Sequence, residues 1–493
     1  MTPPTDRARP STEDSTSPPQ SAVSAGAAPS TRDKALRINL DAARYGTFAE
    51  IGAGQEVARW FFHVGGAAGT VAKTISAYDM AVSDALYGPS DRYVSRKRLE
   101  AMLDHENANL AEQLGTRRGD RTAFFVFADT VATRGYSRRE NGHGWLGVRF
   151  QMAPLGQSSQ VLVHVHLLDE EPAREQEALG VLGVNLMYGA FYHHATPSAL
   201  IASLLDGLTR KRVEVDMIEL SGPAFAGSDN RVLNLQLVEQ GLTNATMLTA
   251  DGEVVQPSEV LYKRPILVER GSFRPVTKLT IDLLESAREQ FGREPQLEGE
   301  EPVVLMEMTL PSLTGDRGVD YEDFISRAEI LQGLGNHVLI SNCVLTFQLV
   351  EILSRYTKKM IGLAIGLPSL RTIVDETYYT DLPGGRLEAV GRLFQNLVKV
   401  YVYPSKDPSS GEIVTADTIR FPSPWKHIHA ALLESHRLES LSRYREELLD
   451  IHTPEVFARI EAGDPSWESS VPPSIVEIIK RRSLFGYGKS TGR

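Results

Sequence analysis

Between Val213 and Val402 the sequence alternates short Val/Ile/Leu-rich runs with amphipathic stretches, and this alternation restricts the fold more than any other feature of the chain. Strands are expected at Val213–Leu220, Ala245–Thr249, Pro265–Val268, Val303–Met308, His337–Ser341, Met360–Ile365 and Lys399–Val402. Helices are expected between most of them, at Asn230–Glu239, Val276–Phe291, Tyr321–Leu334, Leu345–Tyr356 and Gly385–Leu397. At about thirty residues per strand–helix unit, each crossover returns the next strand parallel to the last. The expectation is therefore an α/β fold, a mostly parallel sheet with helices on both faces. Adding Val161–Leu168 would make eight strands, the number that closes a (β/α)8 barrel. That segment also fits a preceding meander, so the open sheet is preferred and the barrel is the alternative.

Upstream, helices are expected at Gln55–His63, Thr70–Leu86 and Arg96–Leu114. In the second, Val71, Ile75, Tyr78, Val82 and Leu86 recur at three- and four-residue steps, which would set them on one face. Thr122–Val131, Trp145–Met152 and Val161–Leu168 read as an antiparallel meander with Gly/Asn/Ser-rich turns. Residues 1–34 hold six prolines, six serines and five threonines but no Leu, Ile or aromatic residue. Such a segment buries too little apolar surface to offset its ordering entropy. It reads as a disordered tail whose removal through Lys34 leaves stability unchanged. The division expected is tail 1–34, helical and meander region 35–155, α/β core 156–405 and helical extension 406–493.

Composition narrows the function. A net charge of −11 and a pI near 5.7 argue against general nucleic-acid binding. The single cysteine, Cys343, excludes an internal disulfide and any multi-cysteine metal site, and fits a reducing compartment. No apolar run approaches the roughly 18–20 residues that cross a bilayer, and the N-terminus lacks a signal peptide's basic start and apolar stretch. A cytoplasmic protein with no membrane partner is expected.

Long loops follow the expected strands at Ser221–Asp229, Glu269–Pro275, Thr309–Gly318 and Pro404–Pro422, at the strand ends where parallel α/β folds bind ligands. In Glu269-Arg270-Gly-Ser272-Phe-Arg274, Arg270, Arg274 and Ser272 are placed to hold a carboxylate or phosphate. Glu269, or Lys263 before the strand, is placed to move a proton. The stretch Val64–Thr74 ends in Lys73-Thr74, as a phosphate loop does, but Ala72 replaces the required glycine. It reads as a glycine-rich turn before a helix, with Lys73 and Thr74 as weaker anion candidates.

His164-Val-His166 sets two imidazoles on one face of a strand, with Asp169 nearby, as on the first strand of metal-dependent barrel hydrolases. Such sites take further ligands from later strand ends; His337 lies at the wrong end of its strand, so no metal is assigned. Arg134, Arg138, Arg139 and His143 form a basic hairpin tip before Trp145, and Cys343 follows a strand without a histidine partner.

The phrases Arg44-Tyr-Gly-Thr-Phe-Ala-Glu-Ile-Gly-Ala-Gly-Gln-Glu-Val57, Ala85-Leu-Tyr-Gly88, Glu177-Ala-Leu-Gly-Val-Leu-Gly-Val-Asn185 and Asp251-Gly-Glu-Val-Val-Gln-Pro-Ser-Glu259 resemble an uncharacterised bacterial family. Its members are described variously as nicotinate-nucleotide adenylyltransferase and as TonB-dependent receptor. The first would imply nucleotide chemistry, but its His-x-x-His phosphate motif is missing here. The second would need a signal peptide and many alternating strands. The functional expectation is an enzyme acting on a phosphorylated or carboxylated small molecule, with a nucleotide as one such substrate. The alternative is a non-catalytic, self-assembling scaffold or regulatory protein, and a homo-oligomer fits either. Cofactors are left open.

Overall fold

The computed structural model describes residues 28–135, 141–316 and 318–488. The fold is mixed α/β, with two large sheets that share a core. The first sheet contains β1 (Arg44–Ile51), β2 (Val71–Ile75), β3 (Ala123–Ala132), β4 (Gly142–Gln151), β5 (Ser158–Leu167) and β6 (Val213–Ser221), in the order β2-β1-β3-β4-β5-β6. β2 and β3 run parallel to β1, and the chain then turns into the expected meander, β3 to β6 being antiparallel.

The second sheet holds β7 (Ala245–Leu248), β8 (Val254–Val255), β9 (Ile266–Arg270), β10 (Val303–Thr309), β11 (His337–Ser341), β12 (Ile361–Gly366), β13 (Val398–Tyr403) and β14 (Leu438–Ser440). Its order is β14-β13-β12-β9-β10-β11-β7-β8, with every pairing from β14 to β11 parallel. It is open, not a barrel. The chain runs outward from β9 through β10 to β11, then crosses back to place β12 on the other side of β9. The reversal at β9/β12 is the topological switch point of a doubly wound sheet.

Val161–Leu168 joins the meander as β5, as its alternative reading had it, and so does not supply an eighth parallel strand. Other sequence expectations need correction: Val213–Leu220 forms β6, antiparallel to β5, rather than a parallel strand. The long connection between them carries the helices Pro172–Tyr192 and Pro197–Ser203. The first is buried without interruption from Ala178 to Phe191, so it shows no amphipathic period to read. Ala245–Thr249 pairs antiparallel with β11, next to the two-residue edge strand β8.

Thr70–Leu86 is not one helix. Val71–Ile75 pairs with β1 as an edge strand, and a helix begins only at Met80, where the Asp79 carboxylate accepts the N–H groups of Ala81 and Val82. Tyr78 and Val82, read as part of one apolar face, are exposed.

Residues 31–34, assigned by composition to the tail, form the first turn of the Thr31–Asn39 helix. Lys34 is fully buried there.

One core lies between the first sheet and the helices 31–39, 56–64, 172–192 and 197–203. A second fills the space between the other face of that sheet, the Arg96–Arg118 helix and the second sheet. Trp467, fully buried in this second core, pins the C-terminal segment to it. Gly52 ends β1 with φ +100°, and a Cβ there would stand 1.8 Å from the Val131 carbonyl oxygen, so no other residue fits the turn.

Two acids face each other in register on β1 and β3, Glu50 and Asp129, both almost wholly buried. Glu50 accepts the N–H groups of Val57 and Ala58, each at 2.9 Å, at the start of the Glu56–Val64 helix. Asp129 accepts one N–H, from Ile51, and its other oxygen has no partner. Burial, then the charge of Glu50, pushes the Asp129 carboxyl well above the usual carboxylate range.

Candidate functional site

Three histidines and an aspartate meet where the first sheet abuts the second. β4 and β5 pair His143 with His166 and Trp145 with His164, so alternation brings all four rings onto one face. On β6 the register shifts, since His164 faces Met217 while Val165 faces Val215. Asp216 is the extra residue of that bulge, and the kink turns its carboxylate toward the neighbouring imidazoles. Oδ1 of Asp216 lies 2.6 Å from His164 Nδ1, and Oδ2 lies 3.1 Å from His166 Nε2.

The second sheet's region supplies the outer contact. Gln256 follows β8 and donates from Nε2 to Asp216 Oδ2 at 3.1 Å. Its Oε1 is committed to the N–H of Ser258 at 2.8 Å, capping the Pro257–Leu261 helix and fixing which end of the amide faces Asp216.

Burial alone would raise the Asp216 pKa, but the two imidazoles outweigh it and hold the carboxyl far below its usual range, so it is ionised. His164, 3% exposed, is lowered by burial against the pull of Asp216. His166, whose side chain is 26% exposed, is also penalised by burial, yet Asp216 wins and raises it. Burial and the neighbouring histidines push His143 down to about 4, leaving it a neutral imidazole. The centre thus offers an ionised carboxylate, an imidazole biased toward carrying a proton and another biased against it.

A cavity of about 370 Å³ lies on the second sheet, beside the end of β11. Asn244, Asn342, Gln348 and Arg355 contribute to its walls. Arg355 connects it to the histidine centre. Its Nη1 lies 3.2 Å from Glu214 Oε2, two residues before Asp216 on β6, and its charge acts on His166. The other Glu214 oxygen accepts from Thr243 Oγ1 at 2.8 Å. The side chain of Arg355 is half exposed, leaving donors for a ligand.

The residues singled out from sequence are dispersed. Glu269 and Arg270 sit at the carboxyl end of β9, beside the switch point. Arg270 donates to both oxygens of buried Glu307, at 2.6 and 3.0 Å, and to the carbonyls of Cys343 and Val344. Ser341 Oγ donates to the same Glu307 at 2.5 Å. Glu269 is buried without a cationic partner among the described residues, one oxygen unpaired, and burial pushes its carboxyl well above the usual carboxylate range.

Arg274 pairs with Asp323 at 3.3 Å and covers the Phe457 ring, and Ser272 gives its carbonyl to Arg327. Lys263 stands exposed before β9, at the strand's other end from Arg270. Lys73 and Thr74 lie in β2 of the other sheet, where Lys73 pairs with Glu106 and Thr74 Oγ1 is buried without a partner. They do not stand at a helix N-terminus, since the next helix begins only at Met80. Cys343 is buried. Arg138 and Arg139 lie outside the described residues, and Arg134 donates to Asn141.

Asp216, Gln256, Arg355 and the two cavity asparagines carried no sequence signal of their own. The His-x-His pair did, and only its partner was missing.

No protein-family model matches the chain, and no curated protein matches it. Solved structures that resemble part of it include the competence/damage inducible protein CihA from Agrobacterium tumefaciens, at 15% identity over 33% of this chain and 95% of that one, TM-score 0.24. A competence-damaged protein (CinA) superfamily protein from Enterobacter cloacae matches at 13% identity over 35% and 99%, TM-score 0.25. A putative nicotinate-nucleotide adenylyltransferase from Vibrio parahaemolyticus matches at 13% identity over 45% and 96%, TM-score 0.24. Among the described residues no helix is long and apolar enough to cross a membrane.

Proposed function

We propose that this protein is an enzyme acting on a small phosphorylated or carboxylated molecule, bound in the cavity beside β11 and worked on by the His164–Asp216–His166 centre. The observation that carries this reading is Arg355, which lines the cavity and is tied through Glu214 to the strand that holds Asp216. A guanidinium with free donors is the natural partner of a carboxylate or phosphate. The carboxamides of Asn244 and Asn342 add neutral donors and acceptors, and the volume falls in the range of small-molecule sites.

Asp216 orients His166 by accepting from Nε2 and stabilises its protonated form, the role a carboxylate plays behind a general acid or base. His166 is the more exposed of the pair, and the Arg355 charge of the cavity acts on it.

The test is mass spectrometry of small molecules released from purified protein, alongside Arg355→Ala. An anionic metabolite retained by the wild type and absent from the variant supports the reading. A wild type that carries none, and that no carboxylate or phosphate ester in a thermal-shift panel stabilises, refutes it.

A further inference from the structure

We propose that His164 Nδ1, His166 Nε2 and the Asp216 carboxylate bind a divalent transition-metal ion of the zinc type, with His143 as the fourth donor. These donor atoms of His164, His166 and Asp216 all lie within 4.8 Å of one another. In a tetrahedral site with metal–nitrogen bonds of about 2.0–2.1 Å, adjacent donors stand about 3.4 Å apart and two bound imidazole ring centres about 5 Å apart. The His164 and His166 centroids are 5.0 Å apart. His143 lies 5.7 Å from His164 and 6.5 Å from His166 by the same measure, close enough for a side-chain rotation to bring it in.

The donor separations of 2.6 and 3.1 Å need to open by less than about 1 Å to admit an ion. Each imidazole frees its donor nitrogen by carrying its proton on the other ring nitrogen or releasing it, as metal binding requires.

The surroundings have the second layer such sites use. Gln256 hydrogen-bonds the ligating carboxylate while its own carbonyl is pinned by Ser258, and Trp145 packs edge-on to His164 at 5.0 Å. The partial exposure of His166 provides the entry path. A purely structural reading, in which the aspartate only ties two histidines together, would bury three polar side chains where apolar ones would hold the sheets as well. Imidazole and carboxylate donors without thiolate favour zinc, cobalt, nickel or iron(II) over calcium or magnesium.

The test uses the full chain after chelator treatment, titrated with Co²⁺ and then Zn²⁺ under calorimetry and visible absorption. One equivalent of Co²⁺ should bind with the bands of a tetrahedral nitrogen/oxygen site and no thiolate charge transfer, and Zn²⁺ should displace it. His166→Ala, at the exposed rim, should abolish that spectrum, while Gln256→Ala should weaken affinity by about 10–100-fold. Wild-type protein that binds no equivalent, or His166→Ala that binds as the wild type does, overturns the proposal. Should the variants fail to fold, X-ray absorption on Zn²⁺-loaded wild type decides, since fewer than two imidazole ligands would also overturn it. None of these readouts needs a substrate. With the ion bound His166 Nε2 is a ligand, so its acid–base role belongs to the metal-free centre. Failure here leaves Arg355-dependent ligand binding untouched, and failure of that binding leaves the metal site standing.

Discussion

The Lys34 ammonium, fully buried, lies 2.6 Å from the Asp206 carboxylate and 2.8 Å from Asn185 Oδ1, and so ties the first helix to the Pro172–Tyr192 helix and to the turn after the Pro197–Ser203 helix. Removing one partner of a buried pair costs about 3–5 kcal/mol. Asp206 keeps 25% exposure, which solvates the charge left behind. Lys34→Met is therefore expected to cost about 2–3 kcal/mol, read as a shifted urea midpoint. A chain truncated through Lys34 should lose at least as much, and an unchanged midpoint would show that the ion pair is dispensable.

Arg270 is predicted to act as a clip rather than as an anion receptor. Glu307 is fully buried and would keep only the Ser341 hydroxyl as a partner. Arg270→Ala should thus destabilise by about 3–5 kcal/mol, and the double change Arg270→Met with Glu307→Met should recover most of the loss. Chemical denaturation of the wild type, Arg270→Met, Glu307→Met and the double variant completes the cycle. An Arg270→Ala protein of wild-type stability that binds anions more weakly would reverse the assignment.

The Glu50–Asp129 pair sets a pH dependence. Burial raises both folded-state pKa values, Glu50 to about 7. A carboxyl raised on folding contributes stability at acidic pH, below its unfolded pKa, and loses it as pH climbs through the folded value. The difference in melting temperature between wild type and Asp129→Asn should therefore shift in the variant's favour from about pH 5 to about pH 8. Calorimetric scans across that window check this, and a difference that is flat or moves the other way contradicts it.

Cys343 should be inert in the native state. Burial, reinforced by the Glu307 carboxylate, pushes its thiol up to about 11, and the side chain is 3% exposed. A disulfide reagent at neutral pH should label it only as fast as the protein opens, and at the ordinary thiol rate in denaturant. Rapid labelling of folded protein would place Cys343 on the surface.

Gly52→Ala tests the turn that carries β1 into the Glu56–Val64 helix. The added methyl would collide with the backbone of Val131 at a positive φ, and this change should lower the melting temperature more than Gly54→Ala, where a Cβ meets nothing within 4 Å. Comparable shifts in the two variants would refute the collision.

Periodicity by itself determined most of the elements. The amphipathic helices at 230–239, 278–291, 321–333 and 346–356 and the strands at 303–309, 337–341 and 361–366 stand where hydrophobic spacing put them, because local burial pattern is written into neighbouring residues. It failed where the pattern was ambiguous or saturated. Val71 and Ile75 suit a helix face or an edge strand equally, and the Ala178–Phe191 run is apolar all round.

Only the tertiary structure decided which sheet β5 and β6 join, because strand pairing depends on contacts remote in sequence. The same holds for the site. His164 and His166 were legible as a pair two residues apart, but their partner Asp216 is 50 residues from His166 and aims at them through a bulge that leaves no mark on composition. Arg270 shows the converse. Its charge was legible, but the sequence is silent about Glu307, which meets it across adjacent parallel strands and consumes the donors an anion would have needed.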